Sequence, residues 1–111
     1  MSELLDTEVL NQLREIMEDD FGMLLETFLV ESEKQYFEAA QAWEDQNMDT
    51  LARSIHSLKG SCGNIGAHGL QQNCQSIELL ARGEDHIEIP ALLQTVESDL
   101  KKVVAEVSAL Q

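Results

Sequence analysis

The spacing of the apolar residues constrains the fold of this chain more than any other feature. In five segments the apolar side chains recur every three or four residues, and no segment shows a sustained alternation of apolar and polar residues. An α-helix completes a turn in about 3.6 residues, so this spacing places the apolar side chains on one helical face, whereas a half-buried strand would alternate. The sequence therefore predicts an all-α fold.

Residues that favour helix ends divide the chain into these helices. Asp6 and Thr7 can cap a short first helix, Asn47 or Asp49 can cap the third, and Pro90 suits the first turn of the last. The predicted apolar faces, in chain order, are Val9, Leu10, Leu13, Ile16 and Met17; Phe21, Leu24, Leu25, Phe28, Ser32, Tyr36, Ala39 and Trp43; Leu51, Ile55, Leu58, Cys62 and Ile65; Leu70, Cys74, Ile77 and Ala81; Leu93, Val96, Leu100, Val103, Val107 and Leu110. Short connections favour an up-and-down antiparallel four-helix bundle over residues 20–110, approximately, with an additional short N-terminal helix. A chain of 111 residues is long enough for a single domain, 1–111.

The chain is strongly acidic, with 21 Asp and Glu residues against 7 Lys and Arg residues and a formal net charge of −14. This charge would repel phosphate backbones and anionic lipids, so neither nucleic acid nor a membrane is expected as a partner. No apolar run approaches the roughly 18 residues of a membrane span, and the N-terminus lacks a secretory signal, so a cytoplasmic location is expected. From Thr50 to Arg82, however, Glu78 is the one acid against Arg53, Lys59 and Arg82. The least acidic segment is the one that holds the unusual residues.

That unusual stretch is SIHSLKGSCGNIGAHG, residues 54–69, which carries four glycines along a helix. At about 100° per residue, His56 points away from the core residue Ile55. Its neighbours on the helical wheel are Ala52, Lys59, Gly60 and Gly63. Glycine inside a helix costs about 1 kcal/mol relative to alanine, so the two glycines beside His56 need a reason other than helix stability. A bare surface lets the backbone of a partner approach the imidazole, so Ala52, Gly60 and Gly63 are predicted to form a docking face.

The residues around His56 suit nucleophilic chemistry on phosphorus. A neutral imidazole is a nitrogen nucleophile near pH 7, because its unperturbed pKa is about 6.5. Lys59 lies three residues further along the helix, where its ammonium can contact an anion held on the ring. Glu78 follows the core residue Ile77 by one position, the same offset that separates His56 from Ile55. Its carboxylate can therefore face the same groove and hold the proton of the ring nitrogen that does not react.

These residues carry a family resemblance. HSLKGS at residues 56–61, IGA at 65–67 and CQSIE at 74–78 resemble the histidine-containing phosphotransfer (HPt) domains of bacterial multistep two-component relays. The likeness covers the second to fourth helices, and the last helix only by its apolar pattern. It implies that His56 accepts a phosphoryl group from a receiver-domain aspartate of a hybrid sensor kinase and passes it to the aspartate of a response regulator. Lys59 would steady the phosphoryl oxygens, and Gly60 would leave room for the docking receiver.

The resemblance further implies a carrier rather than an enzyme. It places the magnesium ion and the aspartate of the reaction in the partner receiver domain, so no cofactor is expected on this chain. The sequence agrees with that division, because it contains neither a GxxxxGK[ST] nucleotide loop nor a GxGxxG motif. The position of Glu78 is often a glutamine in these domains, where it bonds the ring nitrogen that does not react. A carboxylate there could raise the basicity of the imidazole or repel a phosphoryl group.

Two rival interpretations make different predictions. A helical adaptor that binds receiver domains or other helices without carrying phosphate should survive a His56→Gln substitution, and a carrier should not. A pseudo-carrier of the same family is disfavoured by the intact histidine. The chain is expected to act as a monomer. It is also expected to be free-standing, because it opens with methionine and finishes near the end of its last helix.

The remaining histidines and cysteines predict no metal site. His56, Cys62, His68 and Cys74 recur every six residues. Six residues correspond to about 240° on a helix, so successive members point away from each other. Cys62 and Cys74 fall on apolar helical faces and are predicted to be buried free thiols. His68 and His86 are predicted to be solvated residues in or near connections.

Overall fold

A computed structural model describes residues 4–111 of the chain. Residues 1–3 of the predicted domain lie outside the described residues. The helices are α1 (Thr7–Met17), α2 (Phe21–Glu44), α3 (Met48–Asn64), α4 (His68–Arg82) and α5 (Ile89–Ala109), and a 3-10 turn, Glu18–Asp20, joins α1 to α2. The described residues contain no strand. The predictions of an all-α fold and of a helical bundle with a short N-terminal helix are confirmed.

The helix starts follow the capping residues identified in the sequence. The Asp6 carboxylate accepts hydrogen bonds from the backbone N–H groups of Glu8 at 3.0 Å and Val9 at 3.3 Å. Asn47 caps α3, because its side-chain oxygen accepts from the N–H of Thr50 at 3.1 Å. Pro90 is the second residue of α5. These contacts satisfy backbone N–H groups that have no partner within the first turn of a helix.

The turn between α3 and α4 is fixed by Gly66, whose φ of +81° favours glycine. A Cβ at this position would lie 3.0 Å from the Cβ of Val9 on α1. The carbonyl of Gly66 also accepts a hydrogen bond from the N–H of Asp6 at 3.1 Å. The short helix α1 is thus attached to the end of the bundle where α3 turns into α4.

The four long helices form a closed ring around the core. α2 packs against α3, α3 against α4, α4 against α5, and α5 against α2. Within residues 4–111, neither α2 and α4 nor α3 and α5 approach each other closely. The largest side chains less than 2% exposed are Leu25, Leu51, Ile55, Leu58, Ile65, Leu70, Ile77, Ile89, Val96, Val103 and Val107. The ring makes α3 and α4 one side of the bundle and α2 and α5 the other.

Two residues of the predicted apolar faces are exposed. Ile16 is 79% exposed, because it lies about 120° around α1 from the buried Leu10. Leu13 and Met17 lie closer to Leu10 on the helix and pack against the core. Leu110 is 39% exposed, since it lies just beyond the last residue of α5. The rest of the α5 face is buried as predicted. No helix within the described residues has the length and apolarity needed to cross a membrane.

Candidate functional site

Three side chains converge on the carboxylate of Glu78 in the groove between α3 and α4. His56 Nδ1 lies 3.0 Å from Glu78 Oε2, and Lys59 Nζ lies 2.8 Å from Oε1. Arg82 Nη2 lies 3.2 Å from Oε2. Glu78 itself is buried, with 8% of its surface exposed. The groove therefore contains one buried anion held by two cations and an imidazole.

The local helices explain this convergence. His56 and Lys59 are three residues apart on α3, so they share a face. Glu78 and Arg82 are four residues apart on α4, so they also share a face. α3 and α4 are antiparallel neighbours, and both faces open into the groove between them. The offset of Glu78 from the core residue Ile77 correctly predicted that its carboxylate faces His56.

The charges around Glu78 keep it ionised. Burial raises the pKa of the Glu78 carboxyl. Hydrogen bonds from Lys59, His56 and Arg82 outweigh burial and lower the pKa from its ordinary value of 4.5 to about 2. At neutral pH Glu78 is therefore a carboxylate, which can only accept hydrogen bonds.

This lowered pKa predicts a pH-dependent contribution to stability. The ionised Glu78 stabilises the fold fully above pH 4.5, and this contribution is lost as the pH falls to about 2. At pH 5 the wild type should have a larger free energy of unfolding than a Glu78→Gln variant. We expect this difference to be about 1–3 kcal/mol smaller at pH 2 than at pH 5. Urea unfolding at both pH values measures this change. Glu84→Gln, which alters an exposed acid of the α4–α5 connection, is the matched control. A wild-type to Glu78→Gln difference that stays constant with pH would contradict the assignment.

The ionised carboxylate fixes the hydrogen on the imidazole. Because Glu78 has no hydrogen to donate, His56 Nδ1 must be the donor in their hydrogen bond. In the neutral ring the lone pair then lies on Nε2. The His56 side chain is 61% exposed, and no residue within the described part of the chain forms a hydrogen bond with Nε2. The arrangement presents one nucleophilic nitrogen to solvent.

Lys59 is engaged more fully than the sequence indicated. Its ammonium donates to Gln75 Oε1 at 2.7 Å as well as to Glu78 Oε1, and its side chain is only 21% exposed. Sequence reasoning gave no role to Gln75 or Arg82. Both lie within one turn of Glu78 on α4, three residues before it and four residues after it, and that spacing was the signal that could have identified them.

The three predicted docking residues differ in their surroundings. Gly60 is exposed, and a Cβ added there would meet nothing within 4 Å. At Gly63 a Cβ would lie 2.6 Å from Nε2 of Gln71, so this glycine admits a side chain of α4 from the same molecule. Ala52 is only 1% exposed, and its predicted place on an exposed docking face is wrong. The physical reason is that α4 covers this flank of α3.

The other histidines and the cysteines have no part in this cluster. Cys62 and Cys74 are free and buried, as predicted. A hydrogen bond with Cys62, together with burial, raises the pKa of the Cys74 thiol, which keeps it protonated at neutral pH. His68 Nε2 lies 3.4 Å from Asp6, and His86 Nε2 lies 2.9 Å from the carbonyl of Gly83. Within residues 4–111 no group of three or more His, Cys, Asp or Glu side chains is arranged to hold a metal ion.

The chain is similar to proteins of one known family. The family model for the Hpt domain matches residues 23–110. Among solved structures, the chain is similar to histidine-containing phosphotransfer protein B (HptB) from Pseudomonas aeruginosa PAO1, with 31% sequence identity and a TM-score of 0.93. The match covers 98% of this chain and 95% of that one. No curated protein sequence matches the chain. The chain therefore belongs to the Hpt domain family, whose members are phosphotransfer carriers of two-component signalling rather than kinases and interact with receiver domains.

Proposed function

We propose that this chain is a phosphohistidine carrier in a multistep relay. It accepts a phosphoryl group on His56 from a receiver-domain aspartate of a hybrid sensor kinase and passes it to the aspartate of a response regulator. One observation carries the proposal: the hydrogen bond from His56 Nδ1 to the ionised Glu78, on a ring that is 61% exposed. This bond leaves Nε2 as the nitrogen able to attack phosphorus.

The transfer step follows from this geometry. The lone pair of His56 Nε2 forms a bond to phosphorus, and the bond between phosphorus and the aspartate oxygen breaks, with its electron pair leaving on the carboxylate. The hydrogen on Nδ1 stays in place, so no proton has to move. The phosphorylated ring gains positive charge, which the Glu78 carboxylate 3.0 Å from Nδ1 stabilises. Onward transfer is the reverse step with a second receiver.

The two cations beside Glu78 make a carboxylate suitable at this position, where related domains often have glutamine. Lys59 and Arg82 carry two positive charges against the one negative charge of Glu78. The cluster therefore has a net charge of +1 when His56 is neutral, and an arriving phosphoryl group meets net attraction rather than repulsion. Lys59 can donate a hydrogen bond to a phosphoryl oxygen if it gives up its hydrogen bond to Gln75. Gln75 lies on the exposed face of α4. The two cations offset the charge that made Glu78 ambiguous in the sequence.

The proposal also assigns different groups of the reaction to this chain and to the receiver domain. Phosphoryl transfer depends mainly on positioning and on neutralising charge. The family resemblance places the magnesium ion of the reaction in the receiver domain, and the proposal keeps that assignment. The contribution of this chain is the oriented imidazole, its cationic neighbours and the bare surface at Gly60. All of these groups come from a single chain, which supports a carrier that works as a monomer.

Lys59 provides a test of phosphoryl stabilisation. We expect Lys59→Ala to shorten the lifetime of the phosphohistidine by about tenfold, because one charge-assisted hydrogen bond to the phosphoryl group is lost. The lifetime is measured by following the loss of the phosphoryl adduct by intact-protein mass spectrometry. Arg53→Ala is the matched control, since Arg53 lies on the same helix and pairs with Asp49 at 3.3 Å. An unchanged lifetime and transfer rate in Lys59→Ala would contradict the role given to this lysine.

The proposed function is tested by treating the purified chain with phosphoramidate and measuring its intact mass. A carrier gains one phosphoryl group, and the adduct is labile in acid, as a phosphorus–nitrogen bond should be. The second step adds a receiver domain with magnesium and follows the loss of the adduct from this chain. A folded protein that gains no phosphoryl group would instead support the adaptor interpretation.

A further inference from the structure

The side of the bundle opposite His56 carries an apolar groove. His56 and Glu78 lie between α3 and α4, whereas this groove lies between α2 and α5, across the closed ring of helices. It has a volume of about 420 Å³, and its apolar lining consists of Tyr36, Phe37, Ala40, Leu100 and Val104. Phe37 is 67% exposed at its edge. The transfer chemistry makes no use of this surface.

Phe37 belongs to a line of exposed apolar side chains along α2. Met23 is 68% exposed and Val30 is 62% exposed. Met23, Val30 and Phe37 follow one another at intervals of seven residues. Residues seven apart lie within about 20° of each other around a helix, so these three side chains form one strip along its outer face. Single exposed apolar residues are ordinary, whereas a strip that leads into a groove is typical of an interaction site. The length and direction of this strip suit another helix lying along α2.

The charges of the four long helices indicate what kind of partner helix would bind in the groove. α2 carries five acidic residues and one basic residue, and α5 carries three acidic and two basic residues. α3 carries one acidic and two basic residues, and α4 carries one of each. The acidic excess of the four long helices therefore lies on α2 and α5, the two helices that border the groove. Glu33 and Glu97 line the groove itself, together with a single lysine, Lys101.

We propose that the groove between α2 and α5 binds an amphipathic helix of a partner protein, with apolar residues on one face and Lys or Arg residues along its flanks. Apolar side chains of this helix fill the groove beside Phe37, and its basic flanks meet the acidic residues of α2 and α5. A second copy of this chain does not meet this description, because it would bring two acidic surfaces together. A helix bound here lies across the ring from His56, so it leaves the groove between α3 and α4 open to a receiver domain.

A synthetic Leu/Lys helical peptide, LKKLLKLLKKLLKL, is the probe. We expect it to shift the backbone amide NMR signals of α2 and α5 residues that line the groove, and we expect a peptide with Glu in place of Lys not to bind. Phe37→Ala should weaken binding about tenfold, as expected for the loss of one large buried apolar contact. Leu79→Ala is the matched control, since Leu79 is 62% exposed on α4, and it should leave the affinity unchanged. Phe37 is exposed, so its replacement leaves the core intact.

This proposal would be overturned by no binding of the Leu/Lys peptide, by shifts centred on the groove between α3 and α4, or by equal weakening by Phe37→Ala and Leu79→Ala. Sedimentation that shows a dimer dispersed by Phe37→Ala would also overturn it and assign the groove to a second copy. The proposal does not depend on the carrier function. Phosphoryl uptake from phosphoramidate should be the same in Phe37→Ala and wild type, so failure of one proposal leaves the other unaffected.

Discussion

Replacement of His56 by glutamine is expected to abolish phosphoryl uptake, both from phosphoramidate and from a phosphorylated receiver domain. Glutamine keeps a polar side chain of similar length that can still donate a hydrogen bond to Glu78. It lacks the ring nitrogen Nε2 whose lone pair forms the bond to phosphorus. His56 is 61% exposed, so the substitution leaves the core untouched and the variant should stay folded. Intact mass after treatment with each donor measures the loss.

The other two histidines are matched controls for this experiment. His68 contacts Asp6 at the start of α4, and His86 contacts the carbonyl of Gly83 in the α4–α5 connection. Neither has a lysine and a buried carboxylate arranged as they are around His56. His68→Gln and His86→Gln should therefore take up one phosphoryl group at the wild-type rate. An adduct that persists in His56→Gln and disappears in either control would move the acceptor to that residue.

The second large effect is expected for Gly60→Gln. Gly60 lies one turn after His56 on the same face of α3, and a Cβ there meets nothing within 4 Å. The helix should tolerate the change, with a gain of up to about 1 kcal/mol in helix propensity. The new side chain would occupy the space through which a receiver brings its aspartate to the imidazole. We expect the rate of transfer from a receiver to fall by about a hundredfold or more, because small displacements of reacting groups are costly.

Comparing two donors separates this docking effect from damage to the chemistry. Phosphoramidate is small and needs no docking surface, so Gly60→Gln should react with it at the wild-type rate. Gly22→Gln is the matched control, because Gly22 on α2 is also exposed with no atom within 4 Å of an added Cβ. It should leave both rates unchanged. Normal transfer from the receiver to Gly60→Gln would contradict the close-approach argument.

The helices could be predicted from the sequence because each one has a regular apolar face, and α1, α3 and α5 also have a local start signal. The cap at Asp6, the cap at Asn47 and the proline at position 90 all depend on neighbours within a few residues, which a sequence displays directly. Glu78 was also predictable, since its position relative to Ile77 mirrors that of His56 relative to Ile55. Two core residues on facing helices fix where the residues that follow them point.

The flanks of a helix were harder to predict. A helical wheel gives the direction of a side chain but does not reveal which neighbour covers it, so Ala52 was placed on the surface although α4 buries it. For the same reason Gly63 was assigned to a partner, whereas Gln71 of the same molecule fills the space beside it. Which side chains meet across a groove depends on the axial offset between the two helices. The spacing of apolar residues does not specify this offset.

The charge cluster shows a second limit of sequence reasoning. Lys59 was expected beside His56, and its place is instead set by the buried Glu78, which is stabilised by nearby cations. The same requirement draws in Arg82 from the next turn of α4. These two cations together offset the negative charge of the carboxylate at position 78.

The most direct test of the proposed carrier chemistry is to identify which nitrogen of His56 carries the phosphoryl group. The chain is labelled with 15N on histidine, treated with phosphoramidate and examined by NMR through the coupling between phosphorus and the ring nitrogens. Because Nδ1 donates its hydrogen to the ionised Glu78, we expect a bond from phosphorus to Nε2 and a retained hydrogen on Nδ1. A phosphoryl group on Nδ1, or on a histidine other than His56, would contradict it.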